Sequence, residues 1–170
     1  MNWLIQGNAK SERELYPDII AWLEARLPAL YPGWAIKAYD TSRVRLSGFL
    51  DRHDLSDAFP GCEGFEIEVD VTGILQRGTR VQLAFVECKS GYITLKDLGQ
   101  ILGYSRVALP AISVIVSPLG LSSCMNVLMH THNRVDLLEY GGSKRIKLAT
   151  WDKSRRQVDP QSVFPPGELG

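Results

Sequence analysis

Two neighbouring stretches of the chain alternate apolar and polar residues with a period of two, over residues 67–75 and 81–86. Both are rich in β-branched and aliphatic residues, which favour extended strands. The four residues between them, 76–79, include Gly78 and have the composition of a tight turn. The pattern therefore predicts a β-hairpin.

The register of this hairpin decides which side chains share a face. With the turn centred just before Gly78, Asp70 would pair with Phe85 and Glu68 with Glu87. One face would then carry the charged side chains Glu66, Glu68, Asp70, Glu87 and Lys89. The opposite face would carry the apolar side chains of a core, Ile67, Val69, Val71, Leu75, Ala84 and Val86. Carboxylates gathered at one end of an apolar hairpin repel one another and lose hydration, and a divalent cation would offset both costs.

Helical spacing of apolar residues predicts two longer helices. The first covers residues 11–30, with Ser11 as the N-cap and Glu14 as its capping-box partner. Pro17 implies a kink in this helix or a start nearer Glu14. The second helix covers residues 95–109, with Thr94 as its N-cap.

The remaining pattern predicts shorter elements: strands at 34–39, 111–116 and 146–151, a further strand at 135–140, and a helix at 121–132. A hairpin followed by a helix and a buried apolar strand implies a mixed sheet with helices on its faces. We therefore expect a single α/β domain over residues 1–170. Residues 40–64 are expected to form an irregular insertion, and the chain from about residue 152 a polar tail.

Composition narrows the functional class. The chain has 170 residues, of which 45% are hydrophobic, enough for one domain with a substantial core. Its formal net charge is zero, which argues against tight non-specific DNA binding through bulk charge. Three widely separated cysteines without C-x-x-C spacing suggest reduced thiols and a cytoplasmic protein. The sequence has no apolar run long enough for a membrane span and no secretion signal at its start.

Three features occur together in the central part of the chain: Asp70 on one strand, Glu87-Cys88-Lys89 on its hairpin partner, and Gln100-x-x-x-Tyr104 on the next helix. This combination resembles the PD-(D/E)XK nuclease superfamily, and the Gln-x-x-x-Tyr step is similar to its RecB-type branch. The resemblance covers roughly residues 65–116. It implies a restriction-endonuclease-like core, a mixed β-sheet flanked by helices, and Mg²⁺-dependent hydrolysis of DNA phosphodiester bonds, either endo- or exonucleolytic.

The resemblance also implies roles for these residues. Asp70 and Glu87 would hold Mg²⁺ or Mn²⁺, together with the backbone carbonyl of Cys88. Hard oxygen ligands of this kind suit either ion. Lys89 would be the catalytic lysine, holding the attacking water or the scissile phosphate.

Residues on two helices complete the expected site. Gln100 and Tyr104 are four residues apart and share one helix face. By resemblance, they would orient Lys89 or contact the DNA backbone. Glu14 resembles an acidic residue that several branches carry on the first helix, and would be a further metal ligand, although helix capping explains it nearly as well.

Other interpretations remain open on the sequence alone. Asp70, Glu87 and Lys89 could form an exposed ion-pair cluster on a sheet that faces water. The chain could be a catalytically inactive nuclease-fold subunit that binds nucleic acid or a protein partner in a nucleic-acid-processing complex, or an unrelated α/β domain. A homodimer, or a place in such a complex, is compatible with a small nuclease that must engage two strands.

Overall fold

The computed structural model describes residues 12–167 and residue 169. Ser11, the predicted N-cap of the first helix, lies outside the described residues. The helices are α1 (Tyr16–Leu30), α2 (Leu46–Arg52), α3 (Leu95–Ala108) and α4 (Ser123–Asn126), the last continuing into a π-helical turn at Val127–Thr131. The strands are β1 (Ala35–Asp40), β2 (Val71–Arg77), β3 (Arg80–Cys88), β4 (Ile112–Ser117), β5 (Glu139–Gly141), β6 (Lys144–Arg145), β7 (Lys147–Asp152) and β8 (Gln157–Val158).

Six strands form one mixed sheet in the order β1-β2-β3-β4-β7-β8. The pairs β1–β2, β2–β3 and β7–β8 are antiparallel, whereas β3–β4 and β4–β7 are parallel. The helix α3 connects β3 to the parallel strand β4, as expected for a crossover connection. The structure therefore confirms an α/β fold with a mixed sheet flanked by helices.

Both faces of the sheet are buried. Helix α1 covers one face, where the buried residues include Ile19, Leu23, Leu27, Val71, Leu75, Ala84 and Val86. Helices α2 and α3 cover the other face, where the buried residues include Phe49, Leu50, Leu83, Phe85, Leu98, Ile101 and Ile115. Ile67 and Val69 belong to this second core, so the single apolar face predicted for the hairpin is wrong.

The predicted register of the hairpin is also wrong. Arg77 pairs with Arg80, and Thr72, not Asp70, pairs with Phe85. The turn consists of two residues and begins with Gly78, whose φ of +60° suits the first central position of a tight hairpin turn. The pairing therefore shifts by two residues, and Asp70 lies just before β2.

Helix α1 begins at Tyr16, which agrees with the expectation of a start nearer Glu14. Pro17 lies in its first turn, where its missing N–H costs no helical hydrogen bond. Helix α3 begins as predicted after Thr94. The Thr94 hydroxyl accepts a hydrogen bond from Asp97 N–H at 3.4 Å, and the Asp97 carboxylate accepts one from Thr94 N–H at 2.8 Å, which completes a capping box.

The segment expected to be irregular contains α2 and two 3₁₀ turns, Ser56–Ala58 and Cys62–Gly64. Residues 135–140, predicted as a strand, instead form the 3₁₀ turn Val135–Leu138 followed by β5, which pairs with β6. After β7, the chain adds β8 to the sheet and buries Val163 and Phe164 against it. Among the described residues, no helix combines the length and the apolar character that crossing a membrane requires.

Candidate active site

Strand directions bring the candidate residues to one edge of the sheet. Strands β1, β3, β4 and β7 run in the same direction and end at this edge, which we call the carboxyl edge. Asp70 precedes β2 at the same edge, and Glu87 and Cys88 are the last residues of β3. Lys89 follows directly, and its N–H donates to the carbonyl of Val116 on β4 at 2.9 Å.

Asp70 turns its carboxylate into the protein. Oδ1 accepts a hydrogen bond from the Tyr16 hydroxyl at 2.6 Å, and Oδ2 accepts one from the N–H of Cys88 at 2.8 Å. Burial raises the pKa of Asp70, although both hydrogen bonds act in the opposite direction because they favour the ionised form. Helix α1 and strand β3 therefore fix the position of this carboxylate.

Glu87 is only 4% exposed, and its Oε1 accepts a hydrogen bond from Lys89 Nζ at 3.0 Å. Burial, followed by repulsion from Asp70, raises the pKa of Glu87 to about 7. Because the charge of Asp70 acts on this carboxylate, the two acidic residues are neighbours. Because Glu87 is buried and Asp70 and Lys89 are only partly exposed, these three residues do not form an exposed ion-pair ladder.

Lys89 connects β3 to helix α3. Its Nζ lies 3.0 Å from Glu87 Oε1 and 3.8 Å from Asp97 Oδ1. Burial lowers the pKa of Lys89, but attraction to Glu87 and the hydrogen bond to it outweigh this effect, and the pKa is raised overall. The lysine is therefore a fixed positive charge at neutral pH.

The thiol of Cys88 belongs to the hydrophobic core beside this cluster. The side chain is fully buried in the core under α1, and burial raises its pKa. At the carboxyl edge the backbone N–H of Cys88 donates to Asp70 Oδ2.

Near the start of α1, the acidic residue that contacts the site is Glu12. Its Oε1 accepts hydrogen bonds from the N–H of Ser90 at 3.1 Å and from its hydroxyl at 3.4 Å. Glu14 is exposed to solvent. The chain makes a turn at Glu14 and Leu15 before α1 begins, so Glu14 lies in the turn and Glu12 precedes it.

Helix α3 contacts Lys89 through Asp97, one turn before Gln100. Gln100 is exposed, and Tyr104 is half-buried against the core under α2 and α3. The spacing of three and four residues places these side chains along one side of the helix, leading away from Lys89. Asp97 and Tyr16 were not predicted as site residues, although Asp97 occupies the third position after the predicted cap Thr94.

The carboxylate oxygens of this site are ligands that a hard divalent cation prefers. Mg²⁺ is usually held by one or two carboxylates with waters and substrate phosphate, and Asp70 and Glu87 supply two neighbouring carboxylates. Both have raised pKa values because of burial, a cost that a cation would offset. Within the described part of the chain, no three His, Cys, Asp or Glu side chains are grouped so as to hold a metal ion. Protein atoms would therefore supply only part of the coordination.

We expect Tyr16→Phe to lower the free energy of unfolding by about 2 kcal/mol at pH 8, since the partly buried carboxylate of Asp70 loses a hydrogen bond. The loss should be smaller at pH 5, because burial raises the pKa of Asp70 and so favours its protonated form as the pH falls. Urea denaturation at both pH values measures the effect, with the exposed Tyr92→Phe as a control. An equal loss at both pH values would mean that the phenol contributes through packing alone.

Comparison with known proteins adds no relative. No family model matches the chain, and no curated protein or solved structure matches it. The arrangement of Asp70, Glu87 and Lys89 at the carboxyl edge therefore carries the functional interpretation.

Proposed function

We propose that this protein is a Mg²⁺- or Mn²⁺-dependent phosphodiesterase that hydrolyses DNA, with a restriction-endonuclease-like core of the PD-(D/E)XK type, RecB-like branch. One observation carries the proposal. Two neighbouring carboxylates, the buried Glu87 and the partly buried Asp70, meet a protonated lysine, Lys89, at one edge of the sheet. Perturbed ionisable groups of this kind collect at catalytic sites.

In this proposal Asp70 and Glu87 hold the cation together with the backbone carbonyl of Cys88. When bound, the ion would acidify a water molecule and stabilise the negative charge that develops on the phosphoryl group. Hydrogen bonds from Tyr16 and from the N–H of Cys88 already hold the Asp70 carboxylate in position before a cation binds. The carboxylate then needs little reordering, as expected when outer partners orient a ligand.

Lys89 contributes a positive charge that is held in place. Its ammonium group donates a hydrogen bond to Glu87 and forms an ion pair with Asp97, so a further N–H can point to a phosphate oxygen or to the attacking water. Gln100 and Tyr104 lie along α3 beyond Asp97, where they would contact the DNA backbone.

Cleavage of a labelled DNA panel tests the proposal. Linear, circular, single-stranded and branched DNA are incubated with the protein in Mg²⁺, in Mn²⁺ and with a chelator, and Mn²⁺ binding is measured by calorimetry. We expect cleavage of at least one substrate in either metal and none with the chelator. Absence of cleavage and of Mn²⁺ binding would overturn the proposal, whereas DNA binding without cleavage would favour an inactive binding subunit.

A further inference from the structure

Two loops at the carboxyl edge are joined into one ordered surface beside Lys89. The Ser117 hydroxyl donates to the carbonyl of Gly91 at 2.5 Å. The N–H of Ile93 donates to Gly120 at 2.8 Å, and the carbonyl of Ile93 accepts from the N–H of Ser122 at 2.9 Å. These bonds tie the loop after β3 to the loop after β4, so the backbone around residue 92 is fixed.

Tyr92 is held outward by this arrangement. Ile93 is fully buried and forms a β-bridge with Leu121, and successive residues of an extended backbone point to opposite sides. The Tyr92 side chain is accordingly 56% exposed. Six large apolar side chains are highly exposed among the described residues, and three of them lie on these loops or at the start of α3: Tyr92, Leu95 and Leu119.

The position of Tyr92 relates it to the candidate active site. It follows Lys89 by three residues, and three residues span at most about 10 Å of chain. An aromatic ring at this distance is within reach of a nucleotide next to the phosphate that Lys89 would contact. The formal net charge of the chain is zero, so phosphate attraction alone offers little affinity, and base stacking would supply some of it.

We propose that Tyr92 stacks on an unpaired base next to the scissile phosphate, which makes single-stranded DNA or a frayed DNA end the preferred substrate. The inference rests on the proposed function. Bases within a duplex are stacked on their neighbours and offer no free face to the ring. Aromatic stacking accepts any base, so the site selects strand structure rather than sequence.

Affinity for DNA is measured by fluorescence anisotropy in Ca²⁺, in parallel with the cleavage assay. Tyr92→Ala should weaken binding of a single-stranded oligonucleotide by about 5- to 150-fold, and Tyr92→Phe should bind nearly as well as the wild type. Val107→Ala on α3, where the native side chain is also 56% exposed, is the matched control and should not change affinity. Duplex affinity should be nearly unchanged by Tyr92→Ala.

A series of single-stranded oligonucleotides, each with one abasic site at a different position, then identifies the stacked base by its effect on affinity. At one position, removing the base should weaken binding to the wild type by the same factor as the Tyr92→Ala substitution does. Removing the same base should not weaken binding to Tyr92→Ala any further. Equal binding of wild type and Tyr92→Ala, or an equal abasic loss in both, would overturn the inference, as would no single-strand binding by the wild type. Tyr92-dependent single-strand binding without cleavage would support stacking of Tyr92 on a base and contradict the proposed nuclease activity, so the two failures are distinguishable.

Discussion

Lys89→Ala is expected to slow metal-dependent DNA cleavage by about 100- to 1000-fold, the usual effect of removing one fixed charge or donor from a transition state. The raised pKa of Lys89 keeps the native ammonium protonated throughout the neutral range. Its contacts with Glu87 and Asp97 place this charge within the site. The loss should therefore appear in kcat more than in DNA affinity.

Lys96→Ala is the matched control, because Lys96 lies on the first turn of α3 and is exposed. We expect this variant to cleave DNA at the wild-type rate. Lys89→Arg keeps the charge but changes the shape of the donor group, and should recover only part of the rate. Cleavage by Lys89→Ala at the wild-type rate, with folding confirmed by circular dichroism, would place the catalytic centre elsewhere.

Much of the fold could be predicted because its signals are local. The apolar run at 111–116 corresponds to the buried central strand β4, and the cap at Thr94 correctly marks the start of α3. Apolar spacing also predicts α1. The helix begins at Tyr16, so that Pro17 lies in its first turn. Periodicity and caps are properties of a few consecutive residues, and they survive in the tertiary structure.

The hairpin register could not be predicted in the same way. The turn does contain Gly78, as predicted. Its centre lies one residue later than predicted, so each residue of β2 pairs with a residue of β3 two positions from the expected one. A shift of two leaves the alternation of faces unchanged, so the apolar pattern cannot detect it. Asp70 and Glu87 were expected on one side of the hairpin, and they are neighbours in the structure despite the different register.

The contacts that surround the site depend on distant parts of the chain. Tyr16 is 54 residues from Asp70, and Glu12 is 78 residues from Ser90. No periodic pattern links residues so far apart, and such contacts form only when α1 packs on the sheet. Sequence reasoning could therefore propose the carboxylates and the lysine, but not the groups that orient them.

Glu87→Gln is expected to stabilise the metal-free protein by about 3 kcal/mol at pH 8. Burial raises the pKa of Glu87 from its ordinary value of 4.5 to about 7, and each pKa unit corresponds to about 1.4 kcal/mol. The attraction of Lys89 lowers this pKa and is already part of the net rise. Glutamine resembles the neutral acid in shape and avoids the cost of ionising a buried carboxyl.

The stabilisation by Glu87→Gln should depend on pH. Between about pH 4.5 and 7 the folded protein binds more protons at Glu87 than the unfolded chain, so the wild type loses stability as the pH rises through this range. Glu87→Gln lacks this loss, and its advantage should shrink to about 1 kcal/mol or less at pH 5. Urea denaturation with a chelator at pH 5 and pH 8 measures it. Glu68→Gln, an exposed carboxyl just before β2, should change stability by less than about 0.5 kcal/mol.

Adding Mn²⁺ at pH 8 connects this instability to the proposed activity. A cation that binds the folded state stabilises it by mass action, so the wild type should gain stability with increasing Mn²⁺ concentration. Glu87→Gln should gain much less, because one of the two carboxylates is missing. A wild type that is more stable than Glu87→Gln without metal would contradict the predicted cost of ionising Glu87. A wild type that responds to Mn²⁺ no more than this variant would mean that Asp70 and Glu87 do not form a cation site. If Glu87→Gln is the more stable protein without metal and the wild type gains more stability from Mn²⁺, the charge of Glu87 serves cation binding and lowers the stability of the metal-free protein.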